Sequence, residues 1–422
     1  MNRIKSAVLD GERQGSHVAV HPNSQLGGDE QTKSALVESF SITRGGPLYW
    51  LMAHISISKD ENRQVILRTV SSVLVTWLPL LVLSLIQGQA YGTQINIPFL
   101  KDLAVNARFL IAFPILTLAE LGIDQKWRTI VFEFLRSGLV TEKELSSFEA
   151  VIEKTTRLRD RIFPEALMLI AAFIPSIIVN TEFLMNGVSN WHNIGTGSNQ
   201  MSLAGSWFNF ISTPFFRFLL FRWLWRMCIW TSFLWRVSRI NLYLVATHAD
   251  LAGGLDFISQ GQKAFSPIVF AGGAVVAAQV GNAIAYQGAT LSSMKLPMIT
   301  YGVLAIIILI APLLAVTPVL IDVRRRGLRE YGALVTIHNQ LFDRKWIRKE
   351  QPSDVVILGN PDPSSLIDLG SSFDVIRQMR VLPIGRRTLA VLAVAAALPM
   401  VPVILYATPA DQLIRTVLGM LG

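Results

Sequence analysis

The chain has 422 residues, 51% of them hydrophobic, a mean hydropathy of +0.44 and a formal net charge of +9 at pH 7. Its only cysteine, Cys228, excludes an intramolecular disulfide and a cysteine-based zinc cluster. In a soluble protein so basic a balance would suggest nucleic acid, but here the cations fall in loops between long apolar stretches. That placement argues against nucleic acid and for a lipid bilayer with anionic headgroups at the cytoplasmic face.

Residues 1–44 are rich in Ser, Gly, Gln, Asn and charge, and lack an apolar core of signal-peptide type. They are expected to form a disordered cytoplasmic tail. An interfacial amphipathic segment follows over 45–64, where Leu48, Tyr49, Trp50, Leu51 and Met52 cluster between Pro47 and Ile57. The first span is then an uncleaved anchor.

Apolar segments run over Val65–Ile86, Ala104–Gly122, Ile162–Val179, Trp207–Arg236, Ser266–Gly288, Ile299–Ile321 and Thr388–Ala407. Only a helix satisfies its own backbone across a hydrocarbon core about 30 Å thick. The expected fold class is therefore all-α, a polytopic transmembrane bundle of about seven spans. Residues 65–321 hold the first six, and 388–422 hold the last span and the C-terminal tail. Lys and Arg crowd alternate loops, from Lys126 to Arg161 and from Arg324 to Arg387, while the loops between carry Lys101 and Lys295 alone or nothing. This asymmetry places the N-terminus in the cytoplasm.

Two cytoplasmic stretches are long enough to fold into a small helical cap. The stretch 124–161 has helical periodicity, with Thr141 and Glu144 at capping-box spacing. The segment 322–387 reads as an extension of the sixth span, a turn-rich break, and a helix opening at Asp362-Pro363.

The fourth span is the most unusual, because it carries Arg217, Arg222, Arg226 and Arg236. At about 100° per residue, Arg222, Arg226 and Arg236 share an arc of about 80°. An arginine in mid-membrane costs at least about 2.5 kcal/mol unless it is paired or hydrated. Ion pairing with Glu120, Glu165 or Glu182 is one reading. The other makes Arg222 and Arg226, with Gln279 and Asn282 of the fifth span, the lining of an anion path. Small residues at Gly273, Ala277, Gly281 and Ala285 recur every fourth position and fit either a neighbouring span or a second copy of the chain.

A cytoplasmic turn holds His248, Asp250, Gly253, Gly254 and Asp256. His248 and Asp250 are cation-ligand types, and the glycines suit a tight turn; two candidate ligands make no metal site, and capping by Asp250 is favoured. The run His248-Ala-Asp-Leu-Ala-Gly-Gly-Leu255 resembles a recurrent H-P-D-x-A-G-G-L motif, and Ser364–Leu369 with Met379-Arg380-Val-Leu-Pro383 resembles a second element of the same group. Together they are similar to a family of uncharacterised bacterial multi-pass inner-membrane proteins, with Ala249 where proline is expected. The resemblance implies a bacterial inner membrane and assigns no residue a role.

No P-loop, dinucleotide fingerprint, nucleophile elbow or zincin helix is present, no cofactor is implied, and no paired repeat or matched broken helix stands out. Transport or conduction of a small, anionic solute ranks first. A membrane sensor or scaffold acting through its cytoplasmic helices ranks second, and an enzyme on a lipid-linked substrate third.

Overall fold

Prolines and caps decide where the helices of this chain begin, bend and stop. A computed structural model describes residues 40–43, 45, 61–178, 189–193, 200–348 and 361–408. All of these lie in the unit Phe40–Gly422; the unit Met1–Ser39 and the amphipathic stretch 47–57 fall outside the described residues.

Helix α1 covers Glu61–Thr76 and resumes after Trp77 as Leu78–Ile86. Then come α2 (Leu103–Arg136), α3 (Leu145–Arg159), α4 (Ile162–Ile178) and α5 (residues 203–237). The short α6 (Ile258–Lys263) leads into α7 (Ser266–Tyr286), followed by α8 (Leu291–Ile310), α9 (Thr317–Phe342), α10 (Pro361–Gln378) and α11 (Arg386–Ala407). Among the described residues there is no strand, only isolated bridges at Ile97–Asn190 and Asn193–Met201.

Among the described residues, six helical stretches are long and apolar enough to cross a membrane: Arg63–Ile86, Leu103–Arg136, Glu142–Ile178, Ile258–Tyr286, Leu291–Ala315 and Arg386–Ala407. Their apolar residues face outward as well as inward. Leu296, Ile299 and Ile307 of α8 and Ile162, Phe163 and Ile177 of α4 are exposed, a surface that hydrocarbon accommodates and water penalises. Helix α5, the fourth expected span, is not in this set; its arginines and its Ser, Thr, Asn and Trp residues lower its mean hydropathy. It is nonetheless interior. Trp230, Phe233, Leu234 and Val237 are fully buried, and the helix packs on α3 and α4.

Several boundaries differ from the sequence expectation. Helix α2 does not stop at Gly122 but continues to Arg136, absorbing the first part of the expected cytoplasmic segment. Thr141 opens a 3-10 turn without the side-chain bond that a capping box requires. The sixth expected span starts at Leu291 rather than Ile299 and ends in a 3-10 turn, Ala311–Ala315. Pro312 and Pro318 carry no backbone N–H, so the ladder cannot pass through them, and the expected extension is a separate helix, α9. Helix α10 returns along α9, held where Lys345 and Trp346 donate to Asp362 at 2.6 and 3.0 Å and where Arg324 donates to the Arg377 carbonyl.

Residues 40–43, the end of the segment expected to be a disordered tail, are instead packed. Phe40 lies 5.2 Å from the Phe233 ring, and Ser41 and Thr43 donate to Asp124 at 2.5 and 2.8 Å. The small-residue stripe of α7 is covered from within the chain. A Cβ at Gly273 would meet the Ala396 carbonyl and Pro399 of α11, and one at Gly281 would meet Leu103 and Val403. Ala277 is buried and Ala285 exposed, so most of the stripe serves packing within the chain.

Candidate solute-binding site

Helices α2 and α5 begin alike. Asp102-Leu103-Ala104 opens one and Ser202-Leu203-Ala204 the other, and each cap residue accepts a backbone N–H one turn on, Val105 to Asp102 at 3.1 Å and Gly205 to Ser202 at 2.8 Å. After one short turn both helices widen into π geometry, over Ala107–Ala112 and Phe208–Ser212. Pro114 and Pro214 explain the widening, since neither offers the N–H that a regular turn would use there. Matched interruptions of this kind escape hydropathy, which averages over them.

Between the two helix starts sits Trp191-His192. The Trp191 indole donates to Asp102 at 3.0 Å, and the Trp191 carbonyl accepts the Ser202 hydroxyl at 2.7 Å. The indole stacks on His192 at 3.8 Å and meets Phe99 and Phe208 edge-on. Helix α7 closes the third side, where Asn282 donates to Asp102 at 2.8 Å and accepts the Leu103 N–H at 3.0 Å.

A cavity of about 550 Å³ lies among α2, α5 and α7, lined by Asp102, Arg108, His192, Asn209, Arg217, Gln279, Asn282 and Gln287 and by apolar walls that include Phe216, Leu220 and Val275. Arg108 projects from the first π turn, its guanidinium 5.7 and 5.8 Å from the centroids of Phe208 and Phe216. Arg217 donates to Ser176 at 2.9 Å and to the Ala172 carbonyl at 3.3 Å. Among the described residues neither arginine has a carboxylate within 4.0 Å.

His192 is buried, and burial pushes its imidazole down to about 4, with Asp102 opposing the shift and Arg108 adding to it. Between the ordinary histidine value of about 6.5 and this one, the unfolded chain carries a proton that the folded chain refuses. The folded state therefore loses stability as pH falls across that window. Thermal unfolding measured from pH 7 to 4 should show a falling midpoint, and His192→Asn should flatten the profile.

Of the residues singled out by sequence, Gln279 and Asn282 line the cavity, whereas Arg222 and Arg226 do not. Arg226 donates to Glu120 at 2.8 Å with its guanidinium 4.6 Å from the Trp223 ring, and Arg222 lies 3.9 Å from Glu165. These two arginines border a void of only about 20 Å³, shared with Ile42, Thr43 and Gly45, so they occupy an ion-paired layer rather than a path. Glu182 lies outside the described residues. Toward that layer the space between α2, α5 and α7 is filled by rings: Phe113 against Phe216, Trp223 against Phe265, and Trp127 between Phe265 and Trp230.

The turn holding His248, Asp250 and Asp256 lies at the opposite end of the bundle from the cavity and acts as a clip. Burial alone would raise the Asp250 carboxyl, but N–H groups of Asp256, Ala252 and Gly254, with His248 beside it, outweigh that and hold it below the ordinary range. Gly253 and Gly254 have φ of +65° and +98°, and a Cβ at Gly253 would sit 3.1 Å from Met379. Arg380 donates to the Asp250 carbonyl at 2.7 Å and to Asp256 at 3.0 Å. The two elements of the resembled motif thus grip each other, and the carboxylates are engaged in that grip. Comparisons with protein-family models, with curated proteins and with solved structures returned no match.

Proposed function

We propose that this is a bacterial inner-membrane protein of seven spans with a cytoplasmic N-terminus, moving a small anionic solute as a transporter or channel. Helix α5, fourth in chain order, joins the six apolar helices to make the seven, and the solute's first station is the Arg108–Arg217 cavity. The observation that carries this reading is a pair of arginines with no carboxylate within 4.0 Å among the described residues, set in a cavity between matched interrupted helices. Ionisable groups at membrane depth mark substrate paths, and interrupted helices in corresponding positions mark transporter sites. The ends of the chain segments agree with the orientation: the cavity lies with Lys101, Gln287 and the other charge-poor connections, and the Asp250 clip lies with Arg380 and the basic ones.

Uptake of anions into proteoliposomes tests it. Arg108→Gln should lower uptake at least about tenfold, the loss expected when a charge-assisted hydrogen bond of ~1.5–3 kcal/mol is removed from a bound anion. Insertion and thermal stability should be kept. Uptake equal to wild type would remove Arg108 from the path.

One observation favours a second reading, a membrane sensor: the rings beneath the cavity close the bundle, and the α9–α10 hairpin extends from its other end. Ligand binding with no flux of any anion would select it. The third reading, catalysis at His248, Asp250 and Asp256, loses support because the hydrogen bonds of the clip already engage these carboxylates.

A further inference from the structure

Resting on that reading of the cavity, we infer that its ligand is an amphipathic monoanion, a single carboxylate on an apolar body, rather than an inorganic or multiply charged anion. The charge count comes first. The walls carry two guanidinium groups, Arg108 and Arg217, and one carboxylate, Asp102. Asp102 is wholly buried and its oxygens already accept from Val105, Asn282 and Trp191, so it is a fixed member of the wall. The site is therefore one positive charge in excess. A single negative charge balances it, whereas a neutral solute leaves the excess uncompensated and a dianion reverses it, the last two leaving an unbalanced charge beside the buried Arg108.

The shape of the walls supplies the rest. A guanidinium presents parallel N–H groups that fit the two oxygens of a carboxylate. Arg108 is flanked by aromatic rings, and Phe216 continues into Leu220 and Val275, an apolar surface that no inorganic ion would cover. A volume of about 550 Å³ is that of a site for an organic molecule, several times what a hydrogen-bonded oxyanion fills.

The test is calorimetric titration of the full chain in lipid nanodiscs with phenylacetate, acetate, phenylacetamide, phenylmalonate, sulfate and phosphate. Phenylacetate should bind at least tenfold more tightly than each of the others. Arg108→Gln in the same nanodiscs should lose that binding, which separates the site from partition into lipid. Leu220→Trp, which fills the apolar wall, should weaken phenylacetate at least tenfold and bring it level with acetate; this variant guards against a misfolded arginine mutant. Sulfate, phosphate or phenylmalonate binding as tightly as phenylacetate would overturn the inference, as would equal binding of phenylacetamide, or no binding by any probe. The two readings fail separately: phenylacetate bound but not carried across proteoliposomes ends transport alone, whereas sulfate flux without carboxylate binding ends this inference alone.

Discussion

Glu120→Leu will destabilise the protein by about 3–5 kcal/mol, the usual cost of stripping a buried charge of its partner. The reason lies in what Arg226 then faces. Its side chain is 4% exposed, its Nη2 makes the 2.8 Å bond to Glu120, and its Nη1 has no hydrogen-bond partner among the described residues. Without Glu120 the guanidinium keeps only Trp223 and a 3.5 Å approach to the Thr43 carbonyl. The double variant Glu120→Leu with Arg226→Met should regain most of the loss, because removing both charges removes the desolvation penalty together with the attraction. Unfolding of the purified single and double variants in mixed micelles measures both effects. A double variant as unstable as the single one would show that Arg226 has a role beyond its pair.

Among the described glycines, Gly205→Ala is expected to be the most damaging change to alanine, at about 1–3 kcal/mol or more for overpacking against a rigid neighbour. The new Cβ would lie 2.9 Å from the carbonyl carbon of His192 and closer still to its oxygen, and these are backbone atoms that cannot rotate away. The same stretch is pinned by the Ser202 hydroxyl on the Trp191 carbonyl and by the bond from the Ser202 N–H to the His192 carbonyl at 2.8 Å. Relief has to come from lifting the Trp191-His192 wedge, which would expose Asp102 and open one wall of the cavity. Thermal unfolding should fall by several degrees, and phenylacetate binding should weaken in parallel. Gly302→Ala, whose Cβ would meet nothing within 4 Å, is the matched control and should leave both unchanged.

Much of the helical architecture was legible because long apolar runs are a one-dimensional signal. The helices fell where hydropathy placed them, and their ends moved where proline or continued periodicity intervened, as at Pro312 and along 123–136. The ion pairs of Arg222 and Arg226 were foreseeable from the glutamates on neighbouring spans. The cavity was not. Arg108 is a lone cation near the start of an apolar span, and nothing in its immediate neighbours distinguishes it from an interfacial anchor. The signal that could have found it is a comparison of residues 102–114 with 202–214: a cap residue, Leu-Ala, and a proline at the same distance in both. The Asp250 turn was legible in part: its carboxylate accepts backbone N–H groups as the capping reading expects, but Arg380, which joins it, lies 130 residues away in sequence.

The packing of residues 40–43 bears on the order in which the molecule is completed. Ser41 and Thr43 are synthesised well before their partners, since Asp124 follows Thr43 at a separation of 81 residues and Arg226 at 183. At ribosomal speeds of about 5–20 residues per second, the segment waits on the order of ten seconds or more before its last contact exists. Closing so long a loop adds little entropy beyond that of a short one, so the delay is a matter of timing rather than of stability. A nascent chain released before α5 is complete would therefore hold its early spans and leave this segment undocked, making the N-terminal contact a late mark of finished assembly.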